Sequence, residues 1–200
     1  MLFPAEAAII SRAVDKRRRE FQTVRHCARR ALRELGLPPA AILPGEHREP
    51  LWPSGVVGSL THCTGYRAAV VAHQRDVLTV GIDAEPHEPL PPDVAGAIAV
   101  DEELVGLAGL TAADSAVCWD RVLFSAKETV YKAWFPLTHR WLGFEQASIT
   151  INSPMIGHSD GTFCARLLVT GPVVAGEQLT RFDCRWLTSN GLVITTIPCC

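Results

Sequence analysis

Apolar residues recur every three or four positions from about Ala7 to Leu35, at Ile10, Val14, Phe21, Val24, Ala28, Leu32 and Leu35, and Gly36 with Pro38 ends the pattern. The spacing predicts one long amphipathic helix. Three short runs follow, Val56 to His62, Tyr66 to Ala72 and Val77 to Glu85, and read as strands of a meander. Pro86, Pro89, Pro91 and Pro92 then break regularity and lead into short helical pieces around Asp93 to Leu107. A second long helix is predicted from roughly Asp114 to Trp134, closed by Phe135-Pro136. Three more strand-like runs come after it: Glu145 to Ile151, Thr162 to Val169, and Phe182 to Ile197, the last folded back at Asn190-Gly191, a dipeptide suited to a two-residue hairpin turn.

The order is therefore helix and three strands, a proline-rich connector, then helix and three strands. It predicts an α/β (α+β) chain of two halves, residues 1–85 and 114–200, joined by 86–113, each a long helix with a three-stranded, mainly antiparallel sheet. No residue-level repeat accompanies this duplicated order. A cleft between two such halves is the natural place for a ligand.

Composition narrows the class. With 200 residues, 48% of them apolar, the chain can bury a sizeable core without staples. Cys27, Cys63, Cys118, Cys164, Cys184, Cys199 and Cys200 include no Cys-x-x-Cys pair or zinc-type spacing, and read as reduced thiols of a cytosolic protein. No basic stretch leads into an apolar segment at the start, and no run of apolar residues is long enough to span a bilayer. The formal net charge of -2 conceals an asymmetry. Met1 to Arg48 holds ten Lys or Arg against five Asp or Glu, whereas Asp76 to Asp120 holds ten Asp or Glu and no Lys or Arg. Each run could be a plain solvated face. Together they also suit a site where the basic part holds a polyanion and the acidic part a divalent cation. Nucleic acid is disfavoured, because the chain is not basic overall and lacks a basic stripe interleaved with aromatics.

Four motifs carry chemistry. In Gly81-Ile82-Asp83-Ala84-Glu85, strand alternation turns Asp83 and Glu85 to one face. Two adjacent carboxylates repel, and a hard cation such as magnesium, which takes one or two carboxylates plus phosphate oxygens, removes the conflict; the plain alternative is a strand end emerging into solvent. On the second helix, Phe124-Ser125-Ala126-Lys127-Glu128-Thr129-Val130-Tyr131-Lys132-Ala133-Trp134 puts Lys127 and Tyr131 on one stripe, and Glu128 and Lys132 on the next. A surface Glu-to-Lys pair is the ordinary reading of the second stripe. In Gly58-Ser59-Leu60-Thr61-His62-Cys63, His62 at a strand end is a structural residue or a donor to phosphate. Arg17, Phe21 and Arg25 share one stripe of the first helix, where guanidinium groups suit phosphate or are simply solvated.

Taken in this order, the run from Lys16 to Cys63, the Gly-Ile-Asp-Ala-Glu strand and the Phe-Ser-Ala-Lys-Glu-Thr-Val-Tyr-Lys-Ala-Trp helix resemble the phosphopantetheinyl transferases that activate carrier proteins of siderophore, polyketide and non-ribosomal peptide synthesis, especially the actinobacterial type. The resemblance covers the chain up to Phe144 and thins beyond. It implies two pseudo-symmetric halves with the active site between them, and transfer of 4′-phosphopantetheine from coenzyme A to a serine of an apo acyl or peptidyl carrier protein, releasing adenosine 3′,5′-bisphosphate. It implies magnesium, with manganese as an alternative, held by Asp83, Glu85 and Glu128. Glu128 is further implied to orient or deprotonate the serine, Lys132 with Lys127 to neutralise the transferred phosphate, and Thr61 and His62 to bind the diphosphate. Arg17, Arg25, Gly45 and His47 match positions near the 3′-phosphate and adenine, although Pro44 stands where relatives can carry a lysine and Glu46 lies in the same loop. Relatives usually carry a further segment before the first helix. A monomer without membrane or nucleic-acid partners is the family expectation. Two rivals use similar residues: a magnesium-dependent hydrolase of a nucleotide pyrophosphate, and a non-catalytic coenzyme A-binding or carrier-binding module, which has no need of all three carboxylates.

Overall fold

The computed structural model describes residues 2–152 and 157–199. In chain order the helices are α1 (Pro4–Ile9), α2 (Asp15–Glu34), α3 (Val94–Ile98), α4 (Asp101–Ala113) and α5 (Trp119–Thr138). The strands are β1 (Leu43–Pro44), β2 (Pro50–Leu51), β3 (Val56–Cys63), β4 (Tyr66–His73), β5 (Thr79–Pro86), β6 (Ala147–Asn152), β7 (Asp160–Leu167), β8 (Val173–Val174), β9 (Glu177–Gln178), β10 (Arg181–Ser189) and β11 (Leu192–Cys199). The fold is the mixed α/β arrangement of antiparallel sheets that the sequence predicts. Among the described residues no helix is long and apolar enough to cross a membrane. Cys27, Cys63, Cys118, Cys164 and Cys184 are free thiols; Cys200 and the side chain of Cys199 lie outside the described residues.

Where periodicity predicts one first helix, the chain makes two. Glu6 on α1 is fully buried and accepts hydrogen bonds from the backbone of Phe3 and Ile42 and from the Arg29 guanidinium at 2.9 Å. In a continuous helix Glu6 and Arg29 would stand about 35 Å apart at ~1.5 Å per residue, so α1 must fold back on α2. Val14, which the apolar stripe would bury, is the extended residue before α2 and is 74% exposed.

The third strand also departs from the expected meander. β3 and β4 pair with each other from Val56↔His73 to Cys63↔Tyr66. β5 instead forms its ladder with β11, with Asp83 opposite Thr195, at the edge of a five-stranded antiparallel sheet ordered β5-β11-β10-β7-β6. Along its other edge β5 meets β3 through hydroxyl groups: Ile82 N–H donates to Ser59 Oγ at 3.1 Å and Ala84 N–H to Thr61 Oγ1 at 2.9 Å. Side chains thus supply acceptors that a ladder would take from carbonyls, and the edge amides of β5 stay satisfied. Sequence order does not reveal such a seam.

α5 lies across this sheet. Val122, Ala126, Val130 and Ala133 of α5, all at 0% exposure, pack with Phe163, Trp186 and Val193 in the larger core. A smaller core forms around Ala28, Leu32, Ile42 and Val56. The helix starts later than predicted, because Asp114 belongs to the preceding turn, where its carboxylate accepts from the amides of Ala116 and Gly157. It also runs through Pro136 to Thr138. A proline in the last turn forfeits one backbone bond, and Thr138 Oγ1 to Trp134 O and His139 N to Phe135 O close the end. The Asn190-Gly191 turn forms as expected, with φ of 52° and 73°.

Gly81 decides how close α5 comes to β5. A Cβ at that position would lie 2.5 Å from the Thr129 carbonyl oxygen, so a side chain would force helix and strand apart. Gly81→Ala should therefore destabilise the protein by about 1–3 kcal/mol, the scale of an overpacked core. Unchanged urea midpoints for this variant would refute the close-contact account.

Lys127 and Glu103 form a buried pair at 2.8 Å, each side chain 1% exposed. The Lys127 ammonium also donates to the carbonyls of Phe144 and Ala147, and Glu103 accepts the amides of Val100 and Ile149. The pair thus ties α4, α5 and β6 together. Burial lowers the Lys127 pKa, opposed by Glu103. Lys127→Met leaves a buried carboxylate uncompensated and should cost roughly 3–5 kcal/mol in urea unfolding, with part recovered by Lys127→Met/Glu103→Gln.

Candidate active site

One stripe of α5 faces β5: Arg121, Ser125, Glu128 and Lys132, at steps of four, three and four residues. The strand answers with Asp83 and Glu85, and both carboxylates have partners on α5, as their shared strand face predicts. Asp83 is 4% exposed. Its Oδ1 accepts from Lys132 Nζ at 2.6 Å and from Thr61 Oγ1 at 3.2 Å, and its Oδ2 from Ser125 Oγ at 2.9 Å. Glu85 Oε2 accepts from Arg121 Nη1 at 3.2 Å. Arg121 also donates to the carbonyls of Glu88 and Pro89, which anchors the start of the proline-rich connector beside Glu85.

Glu128 is half-buried in the same electrostatic environment. Burial pushes its carboxyl pKa up; Lys132 opposes this and Asp83 adds to it. Burial likewise raises Glu85, reinforced by Asp83 and offset by Arg121 and Lys132. Burial raises the Cys63 thiol as well, with Glu85 and Asp83 contributing, which marks the end of β3 as part of the acidic neighbourhood. Among the described residues no three His, Cys, Asp or Glu side chains converge at metal-holding spacing. The three acids sense one another, and two of them are paired with internal cations. Three carboxylates set against two cations leave net negative charge at this contact, which suits a hard cation, one that takes carboxylate oxygens directly.

The remaining expected residues fall into two groups around this centre. On the α2 side, Arg17 Nη1 donates to His62 Nε2 at 3.0 Å. Arg25 lies over the Phe21 ring, donates to the Ile42 carbonyl, and is lowered to a pKa of about 10, first by burial and further by Arg17 and Arg29, while Glu6 opposes. Gly45 and His47 belong to the β1–β2 turn, where the amide of Gly45 bonds Glu49 O and that of His47 bonds Glu49 Oε2. The His47 ring lies 5.2 Å from Phe135 of α5, and Phe135, Tyr131 and Trp141 continue the aromatic contact. A cavity of about 110 Å³ opens beside Glu128, lined by Tyr131, Trp141, Leu142 and Phe144.

Lys127, expected beside Lys132 against a phosphate, is not part of the centre: its three donors are spent on Glu103, Phe144 and Ala147. The helical period explains the split, since Lys127 and Tyr131 lie on a different stripe from Ser125, Glu128 and Lys132. Thr61 is placed at the centre, but as a buried bridge between Ala84 N–H and Asp83. Sequence reasoning missed Arg121 and Ser125. Their signal was present, because continuing the Glu128–Lys132 stripe toward the N-terminus reaches both. Thr195 carried no such signal; only strand pairing brings it opposite Asp83.

Residues 5–72 match the family described as 4'-phosphopantetheinyl transferase N-terminal domain, and residues 79–171 match the 4'-phosphopantetheinyl transferase superfamily. The chain is 53% identical over 197 residues to the 4'-phosphopantetheinyl transferase Svp of Streptomyces mobaraensis, covering 98% of this chain and 78% of the relative. It is 54% identical over 194 residues to the 4'-phosphopantetheinyl transferase PptT of Mycobacterium tuberculosis, covering 97% and 84%. Enterobactin synthase component D of Salmonella typhi is 36% identical over 189 residues, covering 91% and 72%. With both family models spanning most of its length and its site motifs intact, the chain belongs to the 4′-phosphopantetheinyl transferase superfamily and is a transferase.

Proposed function

We propose that the protein moves the 4′-phosphopantetheine group of coenzyme A onto a serine hydroxyl of an apo acyl or peptidyl carrier protein in the cytoplasm, acting as a monomer and releasing adenosine 3′,5′-bisphosphate. The observation that supports this most directly is the Lys132–Asp83 contact between α5 and β5, with Glu85 and Glu128 in the same electrostatic neighbourhood. Magnesium, or manganese in its place, would be held by these three carboxylates and would supply charge neutralisation at the diphosphate. Lys132 is the mobile counter-charge: released from Asp83, its ammonium can turn to the phosphate being transferred. Glu128 takes the serine proton, directly or through a water, as the serine oxygen bonds to phosphorus and the bond to the bisphosphate leaving group breaks.

Binding distributes over the two sides of the centre. Arg17 and Arg25 on α2, with His62 at the end of β3 and the Gly45–His47 turn, offer donors suited to the phosphates and the nucleotide end of coenzyme A. The apolar cavity next to Glu128 suits a pantetheine arm, whose thin, weakly polar chain gains from burial against Tyr131, Trp141, Leu142 and Phe144.

Incubation with coenzyme A, magnesium and an apo carrier protein should raise the carrier's mass by one phosphopantetheine. Consumption of coenzyme A with an unchanged carrier would instead mean hydrolysis, and neither change would mean binding alone. Asp83→Ala should lower transfer by about a hundredfold or more, the scale of losing a main electrostatic group. It should also abolish the stabilisation that magnesium gives the wild type, about 2.7 kcal/mol at a hundred times Kd and read as a rise in Tm. Glu128→Gln should reduce kcat by roughly 10²–10⁴ with little change in the KM for coenzyme A; equal losses in both would reduce Glu128 to a binding group.

A further inference from the structure

Behind Asp83 runs a chain of three hydroxyl groups that the proposed chemistry does not use. Ser125, Thr129 and Thr195 are all at 0% exposure. Ser125 Oγ lies 2.9 Å from Asp83 Oδ2 and 2.9 Å from Thr195 Oγ1, and Thr195 Oγ1 lies 2.6 Å from Thr129 Oγ1. Thr195 sits on β11 directly across from Asp83, while Ser125 and Thr129 are one turn apart on α5.

Counting hydrogens fixes the end of this chain at Asp83. An ionised carboxylate only accepts, so the single Ser125 hydrogen goes to Asp83. The Thr195 hydroxyl lies within reach of Ser125 Oγ and the Ser125 carbonyl oxygen, both at 2.9 Å, and of Thr129 Oγ1 at 2.6 Å. With its hydrogen on Ser125 Oγ and its oxygen accepting from Thr129, every hydroxyl points toward Asp83, and such head-to-tail chains polarise one another in a water-free interior.

We propose that the Thr129–Thr195–Ser125 chain is the positioning device of Asp83: it holds Oδ2 from behind and so fixes the orientation in which Oδ1, now accepting from Lys132 and Thr61, is offered to the cation. The assignment rests on the reading of Asp83 as a carboxylate that holds the divalent ion. Ser125 and Thr195 touch neither substrate nor ion and act through the carboxylate. Hydrogen-bond partners behind a metal ligand characteristically govern metal affinity in this way.

The test uses Mn²⁺ binding to the whole protein, followed by electron paramagnetic resonance of the free ion, alongside the magnesium dependence of carrier modification. Ser125→Ala and Thr195→Val should each weaken Mn²⁺ binding by roughly tenfold or more, the scale found for such supporting groups. Thr195→Ser, which keeps the hydroxyl, should restore binding to within about twofold of the wild type, which loss of packing alone would not achieve. Thr195→Val should also recover kcat at high magnesium, as a weakened but intact site must. Asp83→Ala separates the two levels. If it loses Mn²⁺ while Ser125→Ala and Thr195→Val bind like the wild type, the positioning chain is overturned and the metal reading survives. If Asp83→Ala itself binds Mn²⁺ like the wild type, the metal reading falls and the chain falls with it.

Discussion

The contact of α5 with β5 at Gly81 is the constraint on which the rest of the site depends. Because no Cβ stands between the strand and the Thr129 carbonyl, the helix comes close enough for Lys132 to reach Asp83 at 2.6 Å and for Ser125 to reach it at 2.9 Å. Short polar side chains such as Ser125 and Asp83 cannot bridge a wider gap. The glycine of the Gly-Ile-Asp-Ala-Glu motif therefore serves geometry as directly as its acids serve chemistry. It is needed for approach; the larger core beneath α5 provides the force that holds helix and strand together.

Much of the layout around Asp83 was legible in the sequence because it obeys local periods. Strand alternation put Asp83 and Glu85 on one face, and the helical period put Glu128 and Lys132 on one stripe; both relations hold. What was not legible depends on residues far apart in the chain. Periodicity could not show that Glu6 would reach Arg29 and Ile42 and so break the first helix. Nor could it assign β5 to β11 across more than a hundred residues, when β3 and β4 preceded it with equally good strand patterns. Lys127 illustrates the same limit from the other side. Its motif suggested a phosphate ligand, while its partner Glu103 lies on a helix whose sequence reads only as acidic.

Two kinds of cation meet the negative charge in this protein, and burial separates their roles. Lys127 answers Glu103 with all three donors used, so that pair holds elements together and has no free valence for a ligand. Lys132 answers Asp83 with its side chain 27% exposed, and Arg121 answers Glu85 at 14%. These two can exchange partners, since water and ligands reach them, whereas an ion pair sealed from solvent would pay a desolvation cost at every exchange. On the proposed function, an acidic centre that takes a doubly charged ion and a diphosphate in turn needs the accessible kind.

The seam between β3 and β5 joins fold and site through a single atom. Thr61 Oγ1 accepts the Ala84 amide and donates to Asp83 Oδ1, so its one hydrogen and its lone pairs serve the sheet edge and the carboxylate together. A backbone carbonyl in its place could satisfy the amide but could donate nothing to Asp83. The substitution of hydroxyls for a regular ladder is therefore more than a tolerated irregularity. It lets the strand that ends at His62 fix the orientation of a carboxylate on the strand facing α5, and Asp83 is thereby held from two directions: by Thr61 from β3, and by Ser125 and Lys132 from the helix.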